Sequence, residues 1–518
     1  MGGLSLPLAR ESILLTPMTS IGLSTNPIAW DTSLAMALQT SKASPPPWLD
    51  ASMRTLACNT EAPLPPSKDL ISTWHTAATQ WISVLEPLLQ AWQTYPSYEE
   101  APPSPQPEMR VLRPSVLTGF PTGIKDTFAT RQFPTLMGTP LWQTPHMGHD
   151  ARVVAYMQEA QCNLLGKTTT AEYGVHTQVL KTTLNPWDST RHPGTSSTGA
   201  AVAVASGMIP WAIGTQTGAS ITRPASYTGI YAMKPTFGLI PRTGILKTSD
   251  TLDTVGFFAQ WAEDLHPILE TLRVTGKNHP YVHRSLDARQ ALPLEALKPC
   301  HRPWRVGVLM HPPWEQAARE ASLEVSEALD AFYQWCEALE QAASHYEVKP
   351  VMLPSPVETL HGLHATLYET SLAYYTHVEY EAGSLQGTRF SSRLEAMLER
   401  GKQISPQRYQ SALHEQDTWI QILDTYWENT KIDVLLTPST MGIAPLSTTA
   451  EYPDAGCIWS LSHTPVITLP LTLHSTAQTT LPMGVSVVAP RYHDDYLLAF
   501  LAQLVQDSVA PQRSVTPR

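Results

Sequence analysis

The spacing of apolar residues changes period several times along the chain, and each change marks an element. From Leu70 to Tyr95, Ile71, Trp74, Ala77, Trp81, Val84, Leu85, Leu88, Leu89 and Trp92 recur at helical spacing. This predicts an amphipathic helix, kinked or divided by Pro87. Val111–Leu117 reads as a short strand interrupted by Pro114 and leading into a turn around Lys125. Asp150–Thr168 reads as a helix followed by a strand, and Gly199–Ile213 repeats that order. Ile230–Gly238 and Leu239–Ile245 read as strand, turn and strand, followed by Thr251–Gly256. Phe258–Glu428 is mostly helical in pattern, with apolar residues at helical spacing across Glu315–His345. Asp433–Pro438, Pro465–Pro470 and Leu481–Pro490 are apolar runs of strand length, and Asp494–Asp507 closes as an amphipathic helix. Helix and strand in alternation predict an α/β protein with a sheet covered by helices.

Composition narrows this picture. A chain of 518 residues with 42% hydrophobic content supplies a large core, and large α/β chains of this length often form one body. Proline clusters at 45–47, 62–66 and 101–107 divide the chain into an N-terminal proline-rich and helical arm, 1–104, packed on a single main domain, 105–518. A net charge of −11 argues against a nucleic-acid partner, which calls for a basic face. The five cysteines (Cys58, Cys162, Cys300, Cys336, Cys457) form no C-x-x-C pair, which favours free thiols in a reducing compartment. The N-terminus lacks a signal-peptide pattern, and no apolar run reaches the ~20 residues of a membrane helix. The expected location is therefore cytoplasmic, with no membrane partner. His361 and His364 form an H-x-x-H, but with no cysteine or clear carboxylate beside them they read as packing or surface histidines. No metal and no cofactor are expected.

Candidate chemistry concentrates between Pro193 and Thr236. Two loops rich in Gly, Ser and Thr, Gly194–Gly199 and Gly214–Ser220, bracket an apolar run, and each holds a candidate reactive hydroxyl. Small residues let backbone approach a bound group closely. Upstream, T-G-I-K-D-T-F (Thr122–Phe128) places a lysine after a short apolar approach. A helix starting near Thr198 would turn its free N–H groups toward the Ser196-Ser197 pair.

This combination resembles the amidase signature family, over roughly Ser104 to Asp507 and most densely between Thr122 and Gly256. The resemblance implies the amidase-signature fold: a large mixed central β-sheet covered by α-helices on both faces, with a variable substrate-pocket region at about 258–464. It assigns the base to Lys125, a proton relay to Ser196 with a cis peptide or strained turn there, and the nucleophile to Ser220, 24 residues on. Backbone N–H groups of Thr217, Gly218 and Ala219 would receive the oxyanion. Tyr173 and Trp459 are candidate pocket-lining residues. Lys167 and Lys234 read as structural partners, and Arg223, Asp253 and Glu172 as scaffold for the site loops. Four residues depart from the family pattern: Thr195 and Thr198 stand where Gly is usual, Gln216 replaces a common Asp, and Ala219 replaces a Gly. A β-branched residue at either threonine position would be strained if that position needed positive φ.

These residue types suit amide hydrolysis. A serine hydroxyl is a weak nucleophile until a base takes its proton. Lysine serves as that base only when neutral, so its ordinary pKa of ~10.4 must fall, and burial does this. The reading is an amidohydrolase that cleaves the C–N bond of a small-molecule amide, carbamate or urea through a serine acyl-enzyme. Two alternatives stay open: a glutaminase-type subunit of an amidotransferase, and a non-catalytic binding protein of the same fold. No G-x-S-x-G elbow surrounds Ser196, Ser197 or Ser220, which removes the usual Ser-His-Asp pattern. Oligomeric state is open as well, a homodimer being one arrangement that the long N-terminal segment allows.

Overall fold

The computed structural model describes residues 31–41, 43–58, 66–95, 115–141, 148–274, 302–309, 323–342, 344–378, 381, 389–449, 456–474 and 480–510. Eleven strands form one mixed sheet. They are β1 (Trp92–Thr94), β2 (Pro121–Lys125), β3 (Asn163–Thr168), β4 (Trp211–Gln216), β5 (Tyr231–Lys234), β6 (Thr254–Ala259), β7 (Trp304–Leu309), β8 (Tyr346–Val351), β9 (Val434–Pro438), β10 (Val466–His474) and β11 (Thr480–Val488). Their spatial order is β1-β3-β2-β4-β6-β5-β10-β11-β9-β7-β8. This is the mixed sheet the resemblance implied.

The part that matters for chemistry is the parallel trio β3-β2-β4. All three strands run the same way, so Lys125, Thr168 and Gln216 end at one edge of the sheet, and the loops that follow them meet there. In open α/β sheets that carboxyl edge is where ligands bind. Two short helices begin beside this edge: α2 (Thr198–Ala205) and α3 (Thr222–Thr228), both buried along their whole length. Only small side chains allow α2 to lie so close. A Cβ on Gly199 would fall 2.2 Å from the Ala91 carbonyl oxygen and 2.4 Å from the Thr169 nitrogen.

Helix α1 (Lys68–Leu89) is continuous, and Pro87 lies in its last turn on the exposed face, where it does not divide the helix. The helix stops sooner than its apolar spacing predicts. Gln90 adopts a left-handed conformation (φ 51°), and Trp92 begins β1, paired with β3. Trp74 stacks on Phe120 at 4.0 Å, Trp81 donates to the Ser206 carbonyl and Trp48 to the Gly207 carbonyl, so this segment shares the main core.

Other sequence expectations change. Residues 115–119 form a turn rather than the end of a strand, while 111–114, the 101–107 proline cluster and most of the 62–66 cluster lie outside the described residues. Leu239–Ile245 forms turns, with one isolated bridge from Ile245 to Phe128. The mostly helical stretch after Phe258 also supplies two parallel strands, β7 and β8, at the far edge of the sheet. Its helices α4 (Leu360–Tyr375) and α5 (Pro406–Thr430), together with α6 (Gly456–Leu461), build a second apolar cluster beside the carboxyl edge. No helix among the described residues is long and apolar enough to cross a membrane.

Candidate active site

Lys125 is the last residue of β2, and its side chain is fully buried. Its Nζ donates to Ser196 Oγ at 2.7 Å and to Thr215 Oγ1 at 2.9 Å. Ser196 Oγ in turn donates to Ser220 Oγ at 2.9 Å. Three side chains, one from the end of β2 and two from separate loops, thus form one continuous line, buried at the lysine and half-buried at Ser220. Burial pulls the Lys125 ammonium down to about 7, and the negative charge of Asp253 acts in the opposite direction. A lysine so placed exchanges its proton near neutrality.

The loops are held by named contacts. The Thr195–Ser196 peptide is cis. The Ser196 carbonyl accepts from the Ala171 N–H and from Thr170 Oγ1, which ties it to the segment after β3. Ser197 stays out of this line: its hydroxyl donates to the Thr215 carbonyl and accepts from the Thr215 N–H, fastening the serine loop to β4. Gly174 lies over the lysine–serine pair. A Cβ there would be 3.7 Å from Ser196 Oγ and 3.9 Å from Lys125 Nζ, and its φ is +68°.

The departures from the family pattern have local explanations. Neither Thr195 nor Thr198 adopts positive φ; that conformation falls to Gly194 (φ 91°). The Thr195 hydroxyl meets His176 Nδ1 at 3.2 Å and accepts from Arg223 at 3.3 Å, while the Thr198 hydroxyl donates to the Gly194 carbonyl. Gln216 accepts from the N–H groups of Ile221 and Thr222 at the start of α3, and its amide donates to Ser460 Oγ. An amide does both jobs at once, whereas a carboxylate only accepts. Ala219 is nearly buried at a negative φ.

The segment Thr217–Ala219 is clamped from outside. The Thr217 hydroxyl donates to Asp253 Oδ1 at 2.6 Å, and Asp253 also accepts from Thr248 and from the Ser249 N–H. The Thr217 carbonyl lies 2.9 Å from His364 Nε2, and the Gly218 carbonyl accepts from Ser460 Oγ at 2.7 Å. Among the described residues, the N–H groups of Gly218, Ala219 and Ser220 donate to no protein acceptor.

The remaining residues singled out in the sequence fall elsewhere. Tyr173 and Trp459 are fully buried in the second apolar cluster, with Tyr173 edge-on to Phe390 at 5.2 Å. Lys167 donates to the Phe128 carbonyl and Thr135 Oγ1 and pairs with Asp126 at 3.1 Å, which anchors the turn after β2. Lys234 donates to the Thr464 carbonyl, joining β5 to the loop before β10. Glu172 accepts from the Ser391 N–H. His364, Ser460 and Thr215 touch the site without having been singled out for it; the first two approach from 147 and 242 residues away, so no local pattern flags them. Described residues include no cluster of His, Cys, Asp and Glu fit for a metal ion. A separate cavity lined by Arg302, Trp427, Lys431, Arg491 and Tyr492 lies beside β7, β9 and β11 and contains none of the site residues.

Known proteins share parts of this sequence and its fold. A glutamyl-tRNA(Gln) amidotransferase subunit of Synechococcus sp. (strain ATCC 27144 / PCC 6301 / SAUG 1402/1) is 32% identical over 265 residues, covering 49% of this chain and 55% of that protein. The chain thus spans about half the length of the curated relative it matches. Among solved structures, 6-aminohexanoate cyclic dimer hydrolase superposes with a TM-score of 0.71 at 22% identity, covering 91% of this chain and 99% of that one. The peptide amidase of Stenotrophomonas maltophilia gives a TM-score of 0.69 at 20% identity, covering 91% of this chain and all of that one (100%). These two likenesses show the fold. The family model described as Amidase matches residues 107–498, most of the chain, and with it the chain belongs to the amidase signature family.

Proposed function

We propose that this chain is an amidohydrolase that cleaves the C–N bond of a small-molecule amide, carbamate or urea through an acyl-enzyme on Ser220. The observation that carries the reading is the unbroken line Lys125–Ser196–Ser220 at 2.7 and 2.9 Å, with the lysine fully buried. Once Lys125 is neutral, the two hydroxyls turn so that Ser220 donates to Ser196 and Ser196 to Nζ; Lys125 takes the Ser196 proton as Ser196 takes the Ser220 proton, and Ser220 Oγ attacks the carbonyl carbon. The oxygen gains negative charge beside the backbone N–H groups of the segment Thr217–Ser220. The C–N bond then breaks, and the proton held on Lys125 returns through Ser196 to the departing nitrogen, leaving an ester on Ser220. Water, deprotonated by the same line, hydrolyses that ester and restores the free hydroxyl.

No step in this scheme calls for a metal or cofactor. The test is a panel of carboxamides, anilides, carbamates and ureas with the purified chain and with Ser220→Ala. Turnover of one class by the first and not by the second supports the reading. Equal turnover by both sinks it.

The amidotransferase relatives favour a second reading, in which the same serine line releases ammonia from glutamine inside a multi-subunit complex. The isolated chain distinguishes them, because turnover of simple amides without any partner protein belongs to the first reading alone.

A further inference from the structure

The hydrolase reading leaves open what aims the oxyanion donors, since the loop Thr217–Ala219 carries no regular structure to orient it. We infer that His364 is a positioning residue for this reaction: it pins the Thr217 carbonyl and so turns the Gly218 N–H toward the bound carbonyl, with Ser460 doing the same for the Ala219 N–H. The inference rests on the proposed hydrolase function.

Two geometric facts support it. A carbonyl oxygen only accepts, so His364 Nε2, 2.9 Å from the Thr217 oxygen, carries the proton in this contact. The peptide bonds after Thr217 and after Gly218 are trans. In a trans peptide the C=O and the following N–H point in opposite directions within one plane. Fixing the Thr217 carbonyl on α4 and the Gly218 carbonyl on α6 therefore directs both N–H groups away from those helices.

His364 is buried, and it lines the loop together with Cys457: a Cβ on Gly218 would meet His364 Cε1 and Cys457 Sγ at 3.5 Å, ordinary van der Waals contact. Gln216 extends the device, since its amide donates to Ser460 Oγ while its oxygen caps α3. The H-x-x-H of the sequence thus places one histidine on the oxyanion loop.

The test uses the full-length chain and a fluorophosphonate probe, whose phosphoryl oxygen gains charge in the same place as Ser220 displaces fluoride. The second-order labelling rate is measured per titratable site, so loss of folded protein does not enter. His364→Leu is expected to lower it by about 10–100-fold, a fraction of the ~10²–10³ typical of deleting one oxyanion donor outright. His364→Gln, which keeps an N–H donor of similar reach, is expected to recover most of the rate. Ser460→Ala is expected to slow labelling independently and covers the case in which His364→Leu does not fold. Rates for His364→Leu or Ser460→Ala within twofold of the parent overturn the inference, as does a His364→Gln variant no faster than His364→Leu. Labelling that persists in Ser220→Ala, or is absent from the parent, overturns the hydrolase reading itself, whereas a parent that labels normally beside unaffected His364 variants overturns only this inference.

Discussion

Changing the pH is the most informative perturbation, because the lysine proposed as the base is held near neutrality by burial. Lys125 falls from 10.5 to about 7, with Asp253 opposing the fall. Only the neutral amine accepts the Ser196 proton, so acylation should follow the neutral fraction. That fraction is about one half at pH 7, roughly 90% at pH 8 and about 1% at pH 5. The assay is kcat/KM for an amide substrate, or the fluorophosphonate labelling rate, between pH 5 and 10. The expected profile rises tenfold per pH unit below about 7 and levels off above 8. Lys125→Met should lose both the inflection and most of the rate. A flat profile across this range, or one still climbing tenfold per unit above pH 9, would refute the reasoning.

The same burial has a cost in stability. Below about pH 7 Lys125 is protonated in both folded and unfolded chains, and the full penalty of the buried charge is present. Between about 7 and 10.5 only the unfolded chain keeps the proton, so stability rises with pH. The gap corresponds to about 5 kcal/mol, and Lys125→Met removes it. Urea unfolding of parent and variant should therefore show the variant's relative stability greater at pH 6 than at pH 10, by up to about 5 kcal/mol. Gly199→Ala pushes a methyl onto two backbone atoms at 2.2 and 2.4 Å and should lower stability by about 1–3 kcal/mol or prevent folding, read as a loss of Tm or soluble yield. Gln216→Ala leaves the buried N–H groups of Ile221 and Thr222 without their acceptor and should cost about 1–3 kcal/mol, measured by the same unfolding.

The candidate chemistry was legible in the sequence because loops that must bring backbone and hydroxyls together are written in small residues. The Ser-Ser pair, Ser220 and the strand-ending Lys125 each stand in such a context, and the structure joins them into one line. The α/β rhythm was legible for the same local reason. What was hidden depends on distant partners. Trp92 continues helical spacing beyond a left-handed turn at Gln90, so the pattern alone carries the helix too far. Edge strand β8 (Tyr346–Val351) includes Pro350 and charged residues and has little apolar signature of its own. Tyr173 is a loop aromatic next to the site, a description that fits a pocket wall as well as a core, and it is fully buried edge-on to Phe390. His364 and Ser460 act on the loop only because α4 and α6 pack beside it.

The proton line itself is tested most directly by a double-mutant cycle on Lys125 and Ser196. Ser196 is the bridge, 2.7 Å from the amine and 2.9 Å from the Ser220 hydroxyl. Lys125→Ala and Ser196→Ala should each lower kcat by about 10²–10⁴-fold, and the double variant should be no slower than the worse single one. Losses that multiply, or a Ser196→Ala variant with near-parent turnover, would mean that the two residues act separately and that the line does not carry the proton.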